Sequence, residues 1–236
     1  FFLKKNFKIV CTKHLDNHLF DKIGFNFLFL GNFITRMVAN KYDKIIAISN
    51  AVKKFYLKNK NIKNPKKIEV IYYGIKLKQK IKYKSSINLR KKYKISSKDF
   101  IIGTVSRLVP QKSLHHLINS FSIFKSKYKK NSKLIIVGKG YLKKNLINYS
   151  KELKIKKDII WIDFIEDTVE FISQLNVFAL SSKYEGLGLV LLEAISARTP
   201  IVATSVGAIP EIVKNNINGN LAPYGNTKKF AFLLNA

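Results

Sequence analysis

A chain of 236 residues with 47% apolar content can build a sizeable core, as one large domain or two small ones. Its 44 basic residues against 14 acidic ones, a formal net charge of +30, would suit a nucleic acid or an anionic membrane surface. Only Arg36, Arg90, Arg107 and Arg198 are arginines, however, and no aromatic-basic platform or reader motif accompanies them, which argues against nucleic acid and for solvated lysines from a compositional bias.

Cys11 is the single cysteine, which excludes an intramolecular disulfide and a thiolate metal cluster and fits a reducing, cytoplasmic setting. His14 and His18, and the adjacent His115 and His116, lack a third ligand at metal-site spacing, so no metal is expected. Residues 1–10 do not read as a signal peptide, and a start at Phe1 instead of Met reads as a fragment.

Residues 8–12 predict a buried strand, and residues 13–18 a polar turn at its C-terminal end, where parallel sheets carry ligands. His14 reads there either as a substrate contact or as a solvated loop residue. Residues 23–38 carry Phe25, Phe27, Leu28, Phe29, Leu30 and Phe33, but Asn26, Gly31 and Asn32 interrupt them, short of the roughly 20 residues that span a bilayer. They predict a helix on the sheet, with an interfacial aromatic surface as the alternative. Residues 43–49 predict a strand ending at Ser49, the N-cap of a helix through Val52, Phe55 and Tyr56. Residues 68–72 predict another strand, closed by Gly74. The Lys-rich, aperiodic residues 75–84 are the linker candidate, giving domains over 1–80 and 81–236, and Ser85 or Ser86 would cap a short helix through Leu89 and Tyr93.

The second α/β unit opens with a strand over residues 100–105 and a loop from Ser106 to Ser113, then a helix with Leu114, Leu117, Ile118, Phe121 and Phe124 at helical spacing. Residues 134–137 predict a strand running into Gly138-Lys139-Gly140, only the front half of a dinucleotide fingerprint. A helix marked by Leu142, Leu146 and Tyr149, a strand over 159–162 with Trp161, and a short helix with Val169, Phe171, Ile172 and Leu175 follow. Residues 177–180 predict a buried strand and 189–197 a helix; then come a strand over 200–204, a tight turn at Gly207 into a helix, a strand over 219–223 and a helix over 230–234.

Between the strand at 177–180 and the next helix lies Tyr184-Glu185-Gly186-Leu187-Gly188-Leu189, with Glu193 further along the helix. The first amides of a helix lack backbone partners and its dipole favours negative charge, so a phosphate is the natural guest. Gly186 and Gly188 would let it approach the backbone. From Glu185 to Glu193 the chain covers at most about 12 Å at helical rise, about the length of a sugar joined through a diphosphate to a ribose. Taken alone, the pair reads equally as a helix cap and a surface acid. Arg107, Lys112 and the Gly138–Gly140 turn fall on the same sheet edge, and together they read as a metal-free diphosphate cradle.

Ser106-Arg107-Leu108-Val109-Pro110-Gln111-Lys112, Val137-Gly138-Lys139-Gly140, Tyr184-Glu185-Gly186-Leu187-Gly188 through Glu193, and Val206-Gly207-Ala208-Ile209-Pro210-Glu211 resemble the retaining GT-B glycosyltransferases of family 4, over about residues 45–224. The resemblance implies an α/β fold of two Rossmann-like domains facing a cleft, with the N-terminal domain incomplete and the C-terminal end truncated, and a span that is inactive by itself. It implies that Arg107 and Lys112 hold the diphosphate of a nucleotide sugar donor, that Glu185 contacts the sugar, that Glu193 accepts hydrogen bonds from the ribose, and that the backbone of Gly186, Leu187, Gly188 and Leu189 lines sugar and phosphate. Gly138 and Gly140 join the donor site, and His14 matches the family's loop histidine. No cofactor is implied. The acceptor is expected to be a glycan or a lipid-linked chain of polysaccharide biosynthesis, met in the cytoplasm or at the inner face of the membrane. A basic nucleic-acid-binding protein and a non-catalytic nucleotide-sugar-binding relative are the competing readings. The chain departs from the family at Ser106 and Ser113 (usually glycines), Asn176 (an aspartate), Asp163 (a glycine) and Arg198 (a small residue). No charged ligand group is lost, and Ser113 and Arg198 are expected to tighten packing near the site.

Overall fold

The alternation of apolar runs and amphipathic segments resolves into two parallel sheets. A computed structural model describes residues 8–14, 36–39, 41–60, 62–76, 88–128 and 131–235. The chain divides into two compact units, Phe1–Tyr73 with Tyr184–Leu187, and Gly74–Lys183 with Gly188–Ala236. Most of the aromatic segment at 23–38, the turn beyond His14, most of the linker at 75–84, and Ser85 and Ser86 lie outside the described residues.

In the first unit β1 (Val10–Lys13), β2 (Lys44–Ala47) and β3 (Ile68–Val70) form a parallel sheet in that order. β1 was expected to be buried, but Val10 is exposed and the rest half-buried, because β1 is an edge strand of the described sheet. Ser49 caps α1 (Asn50–Lys58): its backbone is extended and its Oγ accepts from the Val52 amide at 3.2 Å.

The second unit holds β4 (Phe100–Val105), β5 (Ser132–Val137), β6 (Ile159–Ile162), β7 (Val177–Leu180), β8 (Ile201–Thr204) and β9 (Gly219–Ala222), all parallel, in the order β6-β5-β4-β7-β8-β9. Its helices are α2 (Leu89–Lys92), α3 (Leu114–Tyr128), α4 (Lys143–Glu152), α5 (Thr168–Ile172), α6 (Leu189–Ser196), α7 (Ile209–Ile212) and α8 (Thr227–Leu233). The cap of α2 is Asn88, whose side chain accepts from the Lys91 amide, and not Ser85 or Ser86. Asn226 likewise caps α8, which begins at Thr227, earlier than its apolar residues suggest.

Successive strand residues point to opposite faces, and both faces are covered. Ile102, Leu134, Ile136, Val177, Ala179 and Val202 pack with α3, α4 and α8, burying Phe121, Phe124, Leu146 and Phe230. Ile101, Ile135, Val137, Phe178, Leu180 and Ile201 pack with α2, α5, α6 and α7, burying Leu89, Phe171, Leu191 and Ile209. Asn176 ties β7 to the start of β4, its Oδ1 accepting from the Ile101 amide at 2.8 Å while its own amide donates to the Ile101 carbonyl at 2.9 Å.

The ends of α2, α4 and α6 share one device. Lys94, Lys154 and Arg198 adopt left-handed backbones. Each of these residues donates its amide to Lys91, Lys151 or Ile195, and the residue after it donates to Arg90, Ser150 or Ala194. This double closure normally favours glycine at the left-handed position. A side chain there costs about 1 kcal/mol, and a cation at the helix C-terminus returns about 0.3–1 kcal/mol. Arg198 therefore sits before β8, at the sheet edge opposite the loops that carry Arg107 and Lys112, which corrects its expected place near the site.

One carboxylate serves two lysines across this unit. Asp158 lies 2.9 Å from Lys133 on β5 and 3.2 Å from Lys125 on α3. Burial pushes its carboxyl up, but hydrogen bonds and charge from Lys133 and Lys125 win and hold it below the ordinary aspartate value. A depressed acid adds stability above its unfolded pKa and loses it as pH falls through the folded value. Asp158→Asn should therefore lower the melting temperature at pH 7, with the deficit shrinking once the pH drops below about 4; a deficit independent of pH in thermal melts would count against this account.

Candidate functional site

The larger sheet changes winding direction between β4 and β7: from β4 the order runs out through β5 to β6, and from β7 through β8 to β9. At such a switch the connections leave on opposite faces and a crevice opens outside the carboxyl ends of the strands. The β4–β7 ladder covers only Ile102↔Val177 and Gly103↔Phe178. The loop leaving β4 carries Arg107 and Lys112, and the loop leaving β7 re-enters this unit at Gly188, the start of α6. These two predicted parts thus share the switch edge.

Arg107 is exposed and Lys112 half-buried, the latter closing a 3-10 turn, Pro110–Lys112, that the sequence reading left as plain loop. The turn is stitched to the strand-end residues of β7. The Lys183 amide donates to the Gln111 carbonyl at 2.8 Å, and the buried Ser181 hydroxyl reaches the carbonyls of Lys112 at 2.9 Å and Ser113 at 3.2 Å. Ser181 escaped the sequence reading; its only signal was a hydroxyl directly after a four-residue apolar strand.

Gly138 has φ +138°, and a Cβ there would lie 2.0 Å from the Ser106 carbonyl oxygen; one on Gly140 would lie 2.3 Å from that of Leu108. The Leu108 amide donates to the Lys139 carbonyl at 2.8 Å and the Leu142 amide to the Leu108 carbonyl at 3.2 Å. Glycine is thus demanded at both positions by backbone packed on backbone, independently of any ligand.

α6 begins at Gly188, in a left-handed conformation with φ 82°, and no side chain caps it. Its first amides, with exposed Leu189 beside them, offer the positive end of the helix. Glu193 follows on the second turn. Burial raises its carboxyl pKa, and the neighbouring Asp167, which caps α5 through the Glu170 amide, raises it further.

Glu185, Gly186 and Leu187 belong to the first unit. Glu185 and Leu187 are buried, the Gly186 carbonyl accepts from the Ser49 hydroxyl at 2.7 Å, and a Cβ on Gly186 would lie 1.7 Å from the His14 carbonyl oxygen. The same hydroxyl that caps α1 therefore anchors the motif, a double duty no linear pattern reveals. His14 is exposed, its Nε2 3.3 Å from the Tyr73 hydroxyl. Among the described residues no group of three or more His, Cys, Asp or Glu could hold a metal ion, and no helix is long and apolar enough to cross a membrane.

Comparison with known proteins gives this geometry a family. Residues 85–236 match the model "Glycosyl transferases group 1". The capsular polysaccharide biosynthesis glycosyltransferase CapM of Staphylococcus aureus is 32% identical over 193 residues, 79% of this chain and 50% of CapM. An uncharacterized glycosyltransferase of Methanocaldococcus jannaschii is 31% identical over 158 residues, 65% of this chain and 40% of that protein. The chain spans about half the length of the curated relatives it matches. Among solved structures, Anabaena HepE in complex with UDP and glucose superposes with TM-score 0.81 at 23% identity, over 97% of this chain and 61% of HepE. WaaG, a glycosyltransferase involved in lipopolysaccharide biosynthesis, gives 0.75 at 18% identity, over 90% of this chain and 60% of WaaG. These likenesses establish the α/β GT-B fold. With a family model matched across the whole of its larger sheet, the chain belongs to the glycosyl transferases group 1 family.

Proposed function

We propose that the protein is a glycosyltransferase of the family 4 type that moves a sugar from a nucleoside diphosphate sugar to an acceptor, with retention at the anomeric carbon and without a metal. The observation that carries this reading is the convergence of the Arg107–Lys112 loop and the uncapped start of α6 at the winding switch of the larger sheet. Cations and helix amides there stabilise the charge that grows on a departing diphosphate. The bond from the anomeric carbon to the diphosphate oxygen breaks, the acceptor oxygen bonds to the same face, and the acceptor proton passes to the leaving diphosphate. Glu185 positions the sugar with His14 beside it, Glu193 accepts from the ribose hydroxyls, and the backbone of Gly138, Gly140 and Gly186–Leu189 lines the donor. Domains over 1–80 and 81–236 would supply the acceptor and donor sides.

HepE, a neighbour in fold, binds UDP, which supports a uridine nucleotide as the first donor to try. A matched Campylobacter jejuni transferase, 28% identical over 186 residues, bears a name ending in diphospho-undecaprenol 4-alpha-N-acetylgalactosaminyltransferase, which supports a lipid-linked acceptor. The excess of 30 positive charges suits peripheral attachment to anionic lipid.

Arg107→Ala and Lys112→Ala should each weaken UDP binding about tenfold or more, since a hydrogen bond to a charged group contributes about 1.5–3 kcal/mol; calorimetric titration showing unchanged affinity in both variants would sink the cradle. Ribose hydroxyls donating to Glu193 favour its ionised form, whereas its surroundings favour the protonated one. UDP affinity should therefore fall as pH drops through the raised Glu193 value, and Glu193→Gln should flatten that part of the profile. Vesicles of anionic lipid should bind the protein and release it at high salt, and equal binding to neutral vesicles would overturn the electrostatic attachment.

A further inference from the structure

Ser113 closes the Pro110–Lys112 turn with φ 47° and ψ 46°, a left-handed bend that a Cβ disfavours. The Lys112 and Ser113 carbonyls are held from beneath by Ser181. From above, the Ser113 hydroxyl lies 3.2 Å from the Tyr224 hydroxyl, on the loop after β9. That tyrosine is 41% exposed, with its ring supported on one side. It stacks on His116 with centroids 5.9 Å apart and planes 16° apart, and His116 in turn meets the ring of Phe230 edge-on at 5.2 Å. His116 is 8% exposed, and neither of its ring nitrogens has a hydrogen-bond partner. Burial lowers its pKa, so the imidazole stays neutral and offers Tyr224 an apolar face. A stacked ring carries its hydroxyl at a defined place, against the bend that presents Lys112.

We propose that Tyr224 is a positioning residue for the donor diphosphate: through Ser113 it sets the bend that carries Lys112, while His116 holds the tyrosine ring. The inference rests on the reading that Lys112 holds the diphosphate. Tyr224→Phe keeps the stack and removes the hydroxyl, and Ser113→Ala removes its partner while keeping the Cβ. Calorimetric titration of the full chain with UDP and with uridine, which lacks the phosphates, reads the effect. Tyr224→Phe should weaken UDP about fivefold and leave uridine unchanged, as loss of one hydrogen bond predicts. Ser113→Ala should do the same, and the pair together no more. In a Lys112→Ala background Tyr224→Phe should cost nothing further. Unchanged UDP affinity, equal weakening of UDP and uridine, or an undiminished loss in the Lys112→Ala background would overturn the Tyr224 link. If Tyr224→Phe fails to fold, Ser113→Ala decides by the same criteria. Unchanged UDP binding in Lys112→Ala, or no UDP binding by the unsubstituted chain, would instead overturn the donor reading and this inference with it.

Discussion

Everything at the candidate site depends on the point where the six parallel strands reverse their order. Because β4 winds toward β6 and β7 toward β9, the two central strands send their helices to opposite faces. The loops between must part, and parallel strands point every loop that follows a strand to the same edge. The reversal alone would leave two loose loops. Ser181 and the Lys183 amide bind the turn of one to the strand end of the other, and the glycines at 138 and 140 let a third loop press its backbone against the first. Arg107 and Lys112 are thus carried on backbone held from two sides.

Charge does little of the holding. Lys44 with Glu69, Lys143 with Asp163, and Lys125 and Lys133 with Asp158 use up three of only 14 carboxylate side chains. The pairs at Glu69 and Asp163 are exposed, so water and salt screen them and they hold little. The two apolar layers on the sheet's faces carry the fold, which leaves the lysines free to remain in water or to meet an anionic partner.

Most of the second unit was legible because its strands are buried on both faces. Val177–Leu180 reads as an unbroken apolar run and Phe100–Val105 as one interrupted only by Gly103 and Thr104, and α3 announced itself through Leu114, Leu117, Ile118, Phe121 and Phe124, all buried. What stayed illegible depends on neighbours distant in the chain. A place at the edge of the described sheet exposes β1 although its residues resemble those of a central strand. Glu185 sits in a motif continuous with α6, yet its segment packs in the first unit against Ser49, 137 positions away from Gly186. The left-handed bend at Ser113 and the stacked pair of His116 and Tyr224 carry no local signal, since the residue types involved are ordinary in loops and helices.

The helix ends capped by Lys94, Lys154 and Arg198 show how such a composition is tolerated. In these motifs the hydrogen bonds run between backbone groups, and the residue that follows, Ile95, Ile155 or Thr199, turns inward and is buried. The side chain at the left-handed position itself makes no part of the closure. A drift toward lysine can therefore pass through helix ends without altering the path of the chain, because termination is encoded in the backbone and in the buried residue after it, and the cation is a passenger.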